Sequence, residues 1–216
     1  MITRETNEVG AWTDAGFLYA FLIALNVVGV FANRADARDP WLALGQAIGI
    51  LLVTLAVVIV QRHRGHPYFP IGSIVDAIRR IWWVWMIAFG IAVAAANLQG
   101  LFFGHSTIWY LWLATGVLLA SVAEEFAFRG AIQTSLNRTR FGRRKVWSFQ
   151  LGTIISALLF SSAHFVLLLG NVALPRVLFE VFSALPLALV TGYIYQRTSN
   201  LWYGVFLHAL GNLGGA

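Results

Sequence analysis

The chain has 216 residues, of which 59% are hydrophobic, 14% aromatic and only 11% charged, and its mean hydropathy is +0.73. Because a soluble domain typically carries about 25% charged residues, this composition excludes a soluble enzyme. It also excludes a disordered chain, which needs low hydrophobicity and high charge. The absence of cysteine excludes disulfides, thiol catalysis and cysteine-ligated metal. The composition therefore predicts an all-α, polytopic integral membrane protein.

Seven apolar runs are candidates for membrane-spanning helices, each of which needs about 20 mainly apolar residues. In chain order they are Trp12–Ala32, Trp41–Gln61, Ile81–Phe103, Thr107–Arg129, Leu151–Leu169, Pro175–Tyr195 and the shorter Leu201–Leu213. No linker or internal repeat divides the chain. We therefore expect one membrane domain over residues 1–216, with an N-terminal three-helix part at 12–103 and a second part at 107–213.

Basic residues are distributed unequally between the two sets of loops. Eleven lie before the first span or after the second, fourth and sixth, whereas three lie on the other side. Because cytoplasmic loops carry the excess of Lys and Arg, we expect a plasma-membrane protein with a cytoplasmic N-terminus and an external C-terminus. The net charge of +6 is then explained by contact between the basic loops, above all 137–147, and anionic lipid headgroups. Nucleic acid is not an expected partner.

Ionisable side chains inside the predicted spans require an explanation, because each costs about 2.5–3.5 kcal/mol at the centre of a membrane helix. The fourth span ends in the sequence EEFAFR at 124–129. Glu125 and Arg129 are four residues apart, so they share a helix face and are expected to pair. Glu124 is rotated by about 100° from Glu125 and is expected to face a different neighbour.

Two later spans carry polar groups at the same four-residue spacing. Phe160 and His164 share one face of the fifth span, so the phenyl ring can brace the imidazole. His208 and Asn212 share a face of the seventh span. Counted along their helices, Glu124, His164 and His208 are expected at similar depth, with Glu124 about 15 Å from the cytoplasmic end. A carboxylate can take a proton from water, and the imidazole and carboxamide are donors suited to an oxyanion.

Two further pairs of opposite charge have helical spacing. Asp76 and Arg80 are expected in a short interfacial helix that leads into the third span. Arg176 and Glu180 lie at the outer end of the sixth span, directly after Pro175. We expect a structural ion pair there, with the proline at the start of the helix.

The three motifs together resemble those of a known membrane family. In this order and spacing they are similar to the motifs of the CPBP intramembrane proteases, which include the type II CAAX prenyl endopeptidases and the bacteriocin-processing or self-immunity (Abi) proteins. The similarity covers about half of the chain, roughly Thr107–Asn212. It implies that residues 107–213 form a CPBP-like catalytic core. The motifs are Glu124-Glu125-x₃-Arg129, Phe160-x₃-His164 and His208-x₃-Asn212.

The resemblance implies a role for each motif residue. The site would be a glutamate-dependent peptidase site that opens to the cytoplasmic side of an all-α core. Glu124 would be the base that activates water, assisted by His164. His208 and Asn212 would stabilise the oxyanion.

The remaining motif residues, Glu125, Arg129 and Phe160, would support the site, the first two by holding the fourth helix in place. Histidines and glutamates are also possible zinc ligands. However, the sequence lacks the His-Glu-x-x-His arrangement, so we expect catalysis without metal or any other cofactor.

Three functions compete at this point. The first is an intramembrane endopeptidase acting on a membrane-associated, prenylated or leader-peptide substrate, so that its partner is a peptide or membrane protein. The second is a catalytically silent self-immunity or scaffold protein that binds a peptide. The third is a small transporter whose buried charges form an ion path, although such proteins usually contain the internal repeats that this sequence lacks.

Overall fold

The structure is a computed structural model, and it describes residues 8–32, 40–66, 69–80, 82–83 and 113–214. Almost all of the predicted third span, Ile81–Phe103, lies outside the described residues. The first residues of the predicted fourth span, 107–112, lie outside them as well.

Helices make up nearly all of the described chain. Helix α4 is one continuous stretch in which π-helical segments, Leu113–Leu119 and Phe126–Gln133, alternate with α-helical segments, Ala120–Glu125 and Thr134–Arg138. The strands β1 (Lys145–Val146) and β2 (Phe149–Gln150) form a small antiparallel hairpin. The other helices are α1 (Glu8–Ala32), α2 (Pro40–His63), α3 (74–80), α5 (Leu151–Ala163, continued by the 3₁₀ turns His164–Gly170), α6 (Leu174–Thr198) and α7 (Leu201–Gly214).

Four of the described helices are long and apolar enough to cross a membrane. They are Glu8–Phe31, Trp41–His63, Leu151–Gly170 and Leu174–Thr198, which correspond to the first, second, fifth and sixth predicted spans. Helix α7 has 14 residues and is too short to cross the bilayer alone, since about 20 residues are needed. The all-α membrane architecture is therefore confirmed, with the small hairpin as its exception, whereas the described residues do not establish a count of seven spans.

The basic loop at 138–150 lies at one end of the bundle, which we call the basic end. Three contacts place the start of α1 and the ends of α2 and α6 at this end. They run from the Arg140 backbone N–H to Glu8 Oε1 (2.5 Å), from Gln61 Nε2 to Ser135 Oγ (2.8 Å) and from Gln196 Nε2 to the Ser148 carbonyl (3.0 Å). The opposite end, called the far end, therefore contains the end of α1, the start of α2, the 3₁₀ turns after α5 and the start of α6.

Buried hydrogen bonds hold α4, α5 and α6 together on the basic side of the motif residues. The Gln133 amide donates to Thr153 Oγ1 (3.1 Å) and to the Gly192 carbonyl (2.9 Å). Ser156 Oγ donates to the Phe128 carbonyl at 2.8 Å. Polar side chains that bond across helices are a usual means of association in membrane bundles, where burying apolar surface gives little advantage over lipid.

The segment 69–80 packs against the turn between α6 and α7. The Leu201 backbone N–H donates to the Ile71 carbonyl at 2.9 Å, and the Asn200 amide donates to the Ser73 carbonyl at 3.0 Å. Gly72 has φ +77°, and a Cβ at this position would collide with Asn200. Only glycine fits this close approach without strain, so the tight turn fixes the segment on the bundle.

The predicted Asp76–Arg80 pair is present in α3. Arg80 Nε donates to Asp76 Oδ1 at 3.0 Å, and the Tyr203 hydroxyl donates to Asp76 Oδ2 at 3.0 Å. The hydrogen bond from Arg80, followed by that from Tyr203, lowers the pKa of Asp76 below its ordinary value of 3.8. The carboxylate therefore ties α3 to α7.

This contact predicts an acid-sensitive contribution to stability. Because the pKa of Asp76 is lower in the folded state, its contribution is complete above about pH 4 and is lost as the pH falls through the lowered value. We expect Asp76→Asn to lower the melting temperature in detergent at pH 7, and the difference from wild type to shrink below about pH 4. Arg197→Gln, at the end of α6 and away from Asp76, is the control for loss of one charge. A difference that stays constant from pH 7 to pH 3 would contradict the assignment.

Candidate functional site

The predicted Glu125–Arg129 pair lies in the centre of the bundle. Arg129 Nε is 3.3 Å from Glu125 Oε2, and both side chains are only 1% exposed. Glu125 ends an α-helical segment of α4, and Arg129 belongs to the π-helical segment that follows it. Such π-helical turns are rare and occur frequently at functional sites.

Arg129 connects α4 to two neighbouring helices. Its Nε and Nη2 atoms donate to Thr191 Oγ1 of α6 at 3.2 and 2.9 Å. Its guanidinium carbon lies 5.3 Å from the ring centroid of Phe160 in α5, which is within the range of a cation–π interaction. One buried side chain thus fixes the relative positions of α4, α5 and α6.

His208 of α7 lies between the two glutamates. Its Nδ1 is 3.2 Å from Glu125 Oε1, without the alignment of a hydrogen bond, and its Nε2 is 3.6 Å from Glu124 Oε2. The two carboxylates therefore approach opposite nitrogens of one imidazole. They differ in access, because the Glu124 side chain is 30% exposed and the Glu125 side chain 1%. Only Glu124 can contact a molecule that enters the site.

Phe160 is the aromatic centre of the site. Its ring makes edge contacts with Phe128, His164 and His208, at centroid distances of 5.1, 5.5 and 5.1 Å. Side contacts of this kind restrict ring orientation. The expected bracing of His164 by Phe160 is present, and the same ring also braces His208.

The contacts of His164 favour one tautomer of its imidazole. Nδ1 lies 3.3 Å from the carbonyl oxygens of Phe160 and Ser161. Because a carbonyl oxygen only accepts hydrogen bonds, the proton of the neutral imidazole is assigned to Nδ1. The lone pair is then on Nε2, so neutral His164 can accept a hydrogen bond from water.

Glu124 and His164 line the same cavity, which we call the site cavity. Its volume is about 100 Å³, and its other walls are apolar side chains of α1, α2, α4 and α5, with one polar exception, Asn26. Since a cavity needs only about 10–15 Å³ by this kind of measure to hold one water, the site cavity has room for several water molecules beside the carboxylate.

The structure does not bring all four predicted catalytic residues to this cavity. The buried side chain of His208 does not line the cavity, but it contacts Glu124, which does. The Asn212 amide donates to Ser121 Oγ of α4 at 3.1 Å and is not among the residues that line the cavity. Sequence reasoning missed Asn26. The sequence feature that could have indicated it is its position as a single carboxamide in the otherwise apolar second half of α1.

Glu124 and His164 lie at similar positions along their helices when counted from the basic end. Glu124 precedes Arg138, the last residue of α4, by 14 residues, and His164 follows the first residue of α5 by 13 residues. Because the stretch Phe126–Gln133 is π-helical, the rise of 1.5 Å per residue of an α-helix does not give its length. The depth of about 15 Å therefore stays a prediction.

Among the described residues, no group of three or more His, Cys, Asp or Glu side chains is arranged to hold a metal ion. A catalytic zinc usually has three protein ligands and one open position. Here the Nδ1 atom of His164 already contacts two carbonyl oxygens, and both nitrogens of His208 face carboxylates.

The fold and the site together define an all-helical membrane protein with a buried glutamate–histidine centre. A family model described as "Type II CAAX prenyl endopeptidase Rce1-like" matches residues 105–214, which is just over half of the chain and includes all three motifs. The chain therefore belongs to this family, and it is a CAAX-protease-like membrane protein. No curated protein and no solved structure matches the chain.

Close packing at Gly204 yields a test of the buried pair. A Cβ at Gly204 would lie 2.5 Å from Glu125 Oε2, whereas a Cβ at Gly16 in α1 meets nothing within 4 Å. Glu125 cannot move away from this Cβ without losing its contacts with Arg129 and His208. We expect Gly204→Ala to lower the unfolding free energy by about 1–3 kcal/mol, as overpacking of a core does, and Gly16→Ala to be neutral or slightly stabilising.

Thermal unfolding of both variants in detergent makes this comparison. Equal melting temperatures for Gly204→Ala and Gly16→Ala would show that Glu125 is not held tightly by its partners.

Proposed function

We propose that this protein is an intramembrane endopeptidase in which Glu124 activates a water molecule for attack on a peptide bond. The observation that carries this proposal is that Glu124 and His164, from different helices, line one small cavity inside the bundle. Glu125 is excluded from this role because Arg129 and His208 surround it. The family supports a CAAX-protease-like activity.

Glu124 and His164 have different tasks in the proposed reaction. Glu124 takes a proton from water, while His164 Nε2 orients the same water by accepting a hydrogen bond. The water oxygen attacks the peptide carbonyl carbon and produces a tetrahedral oxyanion. When the C–N bond breaks, the proton held by Glu124 passes to the leaving nitrogen, so that an acid and an amine are released. His208, at 3.6 Å from Glu124, positions the carboxylate.

The oxyanion needs a hydrogen-bond donor in the cavity. The family motif implies His208 and Asn212 for this task, but the Asn212 amide donates to Ser121 and lies outside the cavity lining. We assign the donor to Asn26, whose side chain does line the cavity. Asn212 then serves to fix α7 against α4.

We further propose that the reaction uses no metal or other cofactor. The supporting observations are that His164 Nδ1 already contacts two carbonyl oxygens and that the sequence contains no His-Glu-x-x-His arrangement. A carboxylate inside an apolar cavity can activate water by itself, because preorganised polar groups in a water-poor site replace the solvation that a bulk reaction needs.

We also propose that the chain is one membrane domain, with residues 107–213 as its catalytic core, and that it resides in the plasma membrane with the basic end in the cytoplasm. The uneven loop charge supports this orientation. At the basic end, Trp147 in the hairpin turn is 92% exposed beside Arg144 and Lys145. An exposed indole next to basic residues suits contact with anionic lipid headgroups.

The central test is Glu124→Gln, which keeps the size of the side chain but removes its basicity. We expect cleavage of a quenched peptide library by the protein in liposomes to fall at least about 10²-fold, the typical contribution of a general base. Glu8→Gln is the matched control, because Glu8 lies at the basic end and contacts only a backbone N–H among its described hydrogen bonds.

A strong chelator is added in a parallel series, and wild-type activity is expected to survive it. Loss of activity with recovery on adding zinc would overturn the metal-free mechanism and keep the enzyme. If neither protein cleaves but the wild type binds peptides, the chain is a silent immunity or scaffold protein. Ion flux through the same liposomes would identify a transporter.

The two carboxamides are compared by replacing each with leucine, which has a similar volume. We expect Asn26→Leu to lower kcat about 10²–10³-fold, as removal of one oxyanion donor does, with little change in melting temperature. Asn212→Leu is expected to lower the melting temperature because the hydrogen bond from the Asn212 amide to Ser121 Oγ, which links α7 to α4, is lost, with a smaller change in kcat. The reverse pattern would return the oxyanion role to Asn212.

A further inference from the structure

The orientation of the Arg129 guanidinium depends on a residue outside the three motifs. Thr191 of α6 is completely buried, and its Oγ1 atom accepts hydrogen bonds from Arg129 Nε at 3.2 Å and from Nη2 at 2.9 Å. Arg129 Nε also lies 3.3 Å from Glu125 Oε2, but this oxygen has no hydrogen-bond partner among the described residues. Within the described part of the chain, Thr191 therefore supplies the hydrogen-bond acceptor of Arg129, whereas Glu125 supplies the opposite charge.

The hydroxyl group of Thr191 is oriented so that it can accept these bonds. It donates its own hydrogen to the Ala188 carbonyl, one turn earlier in α6, at 3.3 Å. A hydroxyl group has one hydrogen to donate and two lone pairs that accept. The lone pairs of Thr191 Oγ1 are therefore free for the two nitrogens of Arg129.

Water cannot replace Thr191 at this contact. The side chains of Thr191 and Arg129 are buried, and the backbone of α7 packs against them. A Cβ at Gly204 would lie 2.5 Å from Glu125 Oε2 and 3.6 Å from the Thr191 Cβ. Arg129 Nη1 already has no partner among the described residues. Because an unsatisfied buried polar group costs its full desolvation free energy, loss of the Thr191 oxygen would turn the guanidinium toward another acceptor.

The position of the guanidinium affects both histidines of the site. Its central carbon lies 5.3 Å from the ring centroid of Phe160, and this ring makes edge contacts with His164 and His208. Arg129 also faces Glu125, whose Oε1 atom lies 3.2 Å from His208 Nδ1. A guanidinium that turns away from its present position would shift the phenyl ring, the buried carboxylate or both. Each imidazole would then lose part of its lateral support.

We propose that Thr191 is a positioning residue for the reaction at Glu124, because its oxygen orients Arg129, whose neighbours brace the two histidines. Thr191 is not among the residues that line the site cavity, so its effect passes through Arg129. The inference rests on the proposed peptidase function and adds a residue of α6 to a site that the motifs place on α4, α5 and α7. Motif spacing gives no indication of Thr191, because it meets Arg129 only through the packing of two helices.

A purely structural role for Thr191 predicts a different series of substitutions. If the side chain only fills space between helices, valine is the best replacement, because its shape and volume are close to those of threonine. If the oxygen positions Arg129, serine is the best replacement, because it keeps the hydroxyl group and loses only a methyl group. Cysteine is intermediate in the second case, because its sulfur is a weak acceptor. The positioning role therefore predicts decreasing activity in the order Thr, Ser, Cys, Val.

The variants are compared in liposomes with a quenched peptide that the wild type cleaves, and each rate is divided by the amount of folded protein. We expect Thr191→Val to lower kcat about 10–10²-fold with little change in KM, because a small misplacement of reacting groups costs up to about 10²-fold in rate. Thr191→Ser should restore most of the rate and Thr191→Cys a smaller part. If Thr191→Val does not fold, Thr191→Cys takes its place.

Thr54→Val in α2 is the matched control. Thr54 is 2% exposed, and its hydroxyl group has no hydrogen-bond partner among the described residues. The substitution therefore exchanges the same atoms at a similar degree of burial without removing a hydrogen bond, and we expect the kcat of the wild type. Equal kcat values for Thr191→Val and Thr54→Val would overturn the positioning role and leave the peptidase function intact.

A second measurement does not need turnover. The chain has five histidines, and the ¹⁵N NMR signals of labelled imidazoles respond to tautomer and contacts. The signals of His164 and His208 are assigned by their loss in His164→Gln and His208→Gln. We expect both signals to shift in Thr191→Val, to return toward their wild-type positions in Thr191→Ser and to stay in place in Thr54→Val.

The NMR result separates this inference from the peptidase function. Unshifted histidine signals in folded Thr191→Val would refute the positioning role, whether or not the wild type cleaves peptides. Shifted signals in a protein whose wild type cleaves nothing would support the role of Thr191 in holding the histidines and count against the peptidase.

Discussion

The buried ion pair between Glu125 and Arg129 is the interaction on which the site depends. A charged side chain at this depth is strongly unfavourable unless a partner compensates it, and both of these side chains are almost completely excluded from solvent. Arg129 also binds Thr191 and stacks on Phe160. The contacts of one guanidinium therefore fix three helices, and with them the direction in which Glu124 points.

Two adjacent glutamates acquire different properties from this arrangement. Because Glu124 and Glu125 are rotated by about 100°, only one of them can share the face of Arg129. The other contacts His208 on one side and the site cavity on the other. Gly204 allows α7 to approach the buried carboxylate closely. The difference between a buried carboxylate and one that faces the site cavity thus follows from helix rotation and from one missing side chain.

Local spacing predicted several contacts within helices, although the ion pair expected between Arg176 and Glu180, also four residues apart, is not among the salt bridges of the described residues. The pairs Glu125–Arg129, Phe160–His164 and Asp76–Arg80 follow from four-residue separation, and the long apolar runs from hydropathy. The partner of Asn212 did not follow, because periodicity shows which residues share a face but not which neighbour that face meets. Asn26 was missed for the same reason, since its role depends on α1 packing beside α5.

Polar side chains inside a membrane bundle are retained where they bond to one another or face a cavity, because unpaired polar groups are costly in the hydrocarbon region. Between α4, α5 and α6, the Gln133 amide nitrogen and the Ser156 hydroxyl donate hydrogen bonds that link neighbouring helices. Glu124 differs from these groups because it faces the site cavity and contacts His208 on its other side. The polar groups that bond across helices therefore hold the bundle together, whereas the carboxylate that faces open volume is the one that water can reach.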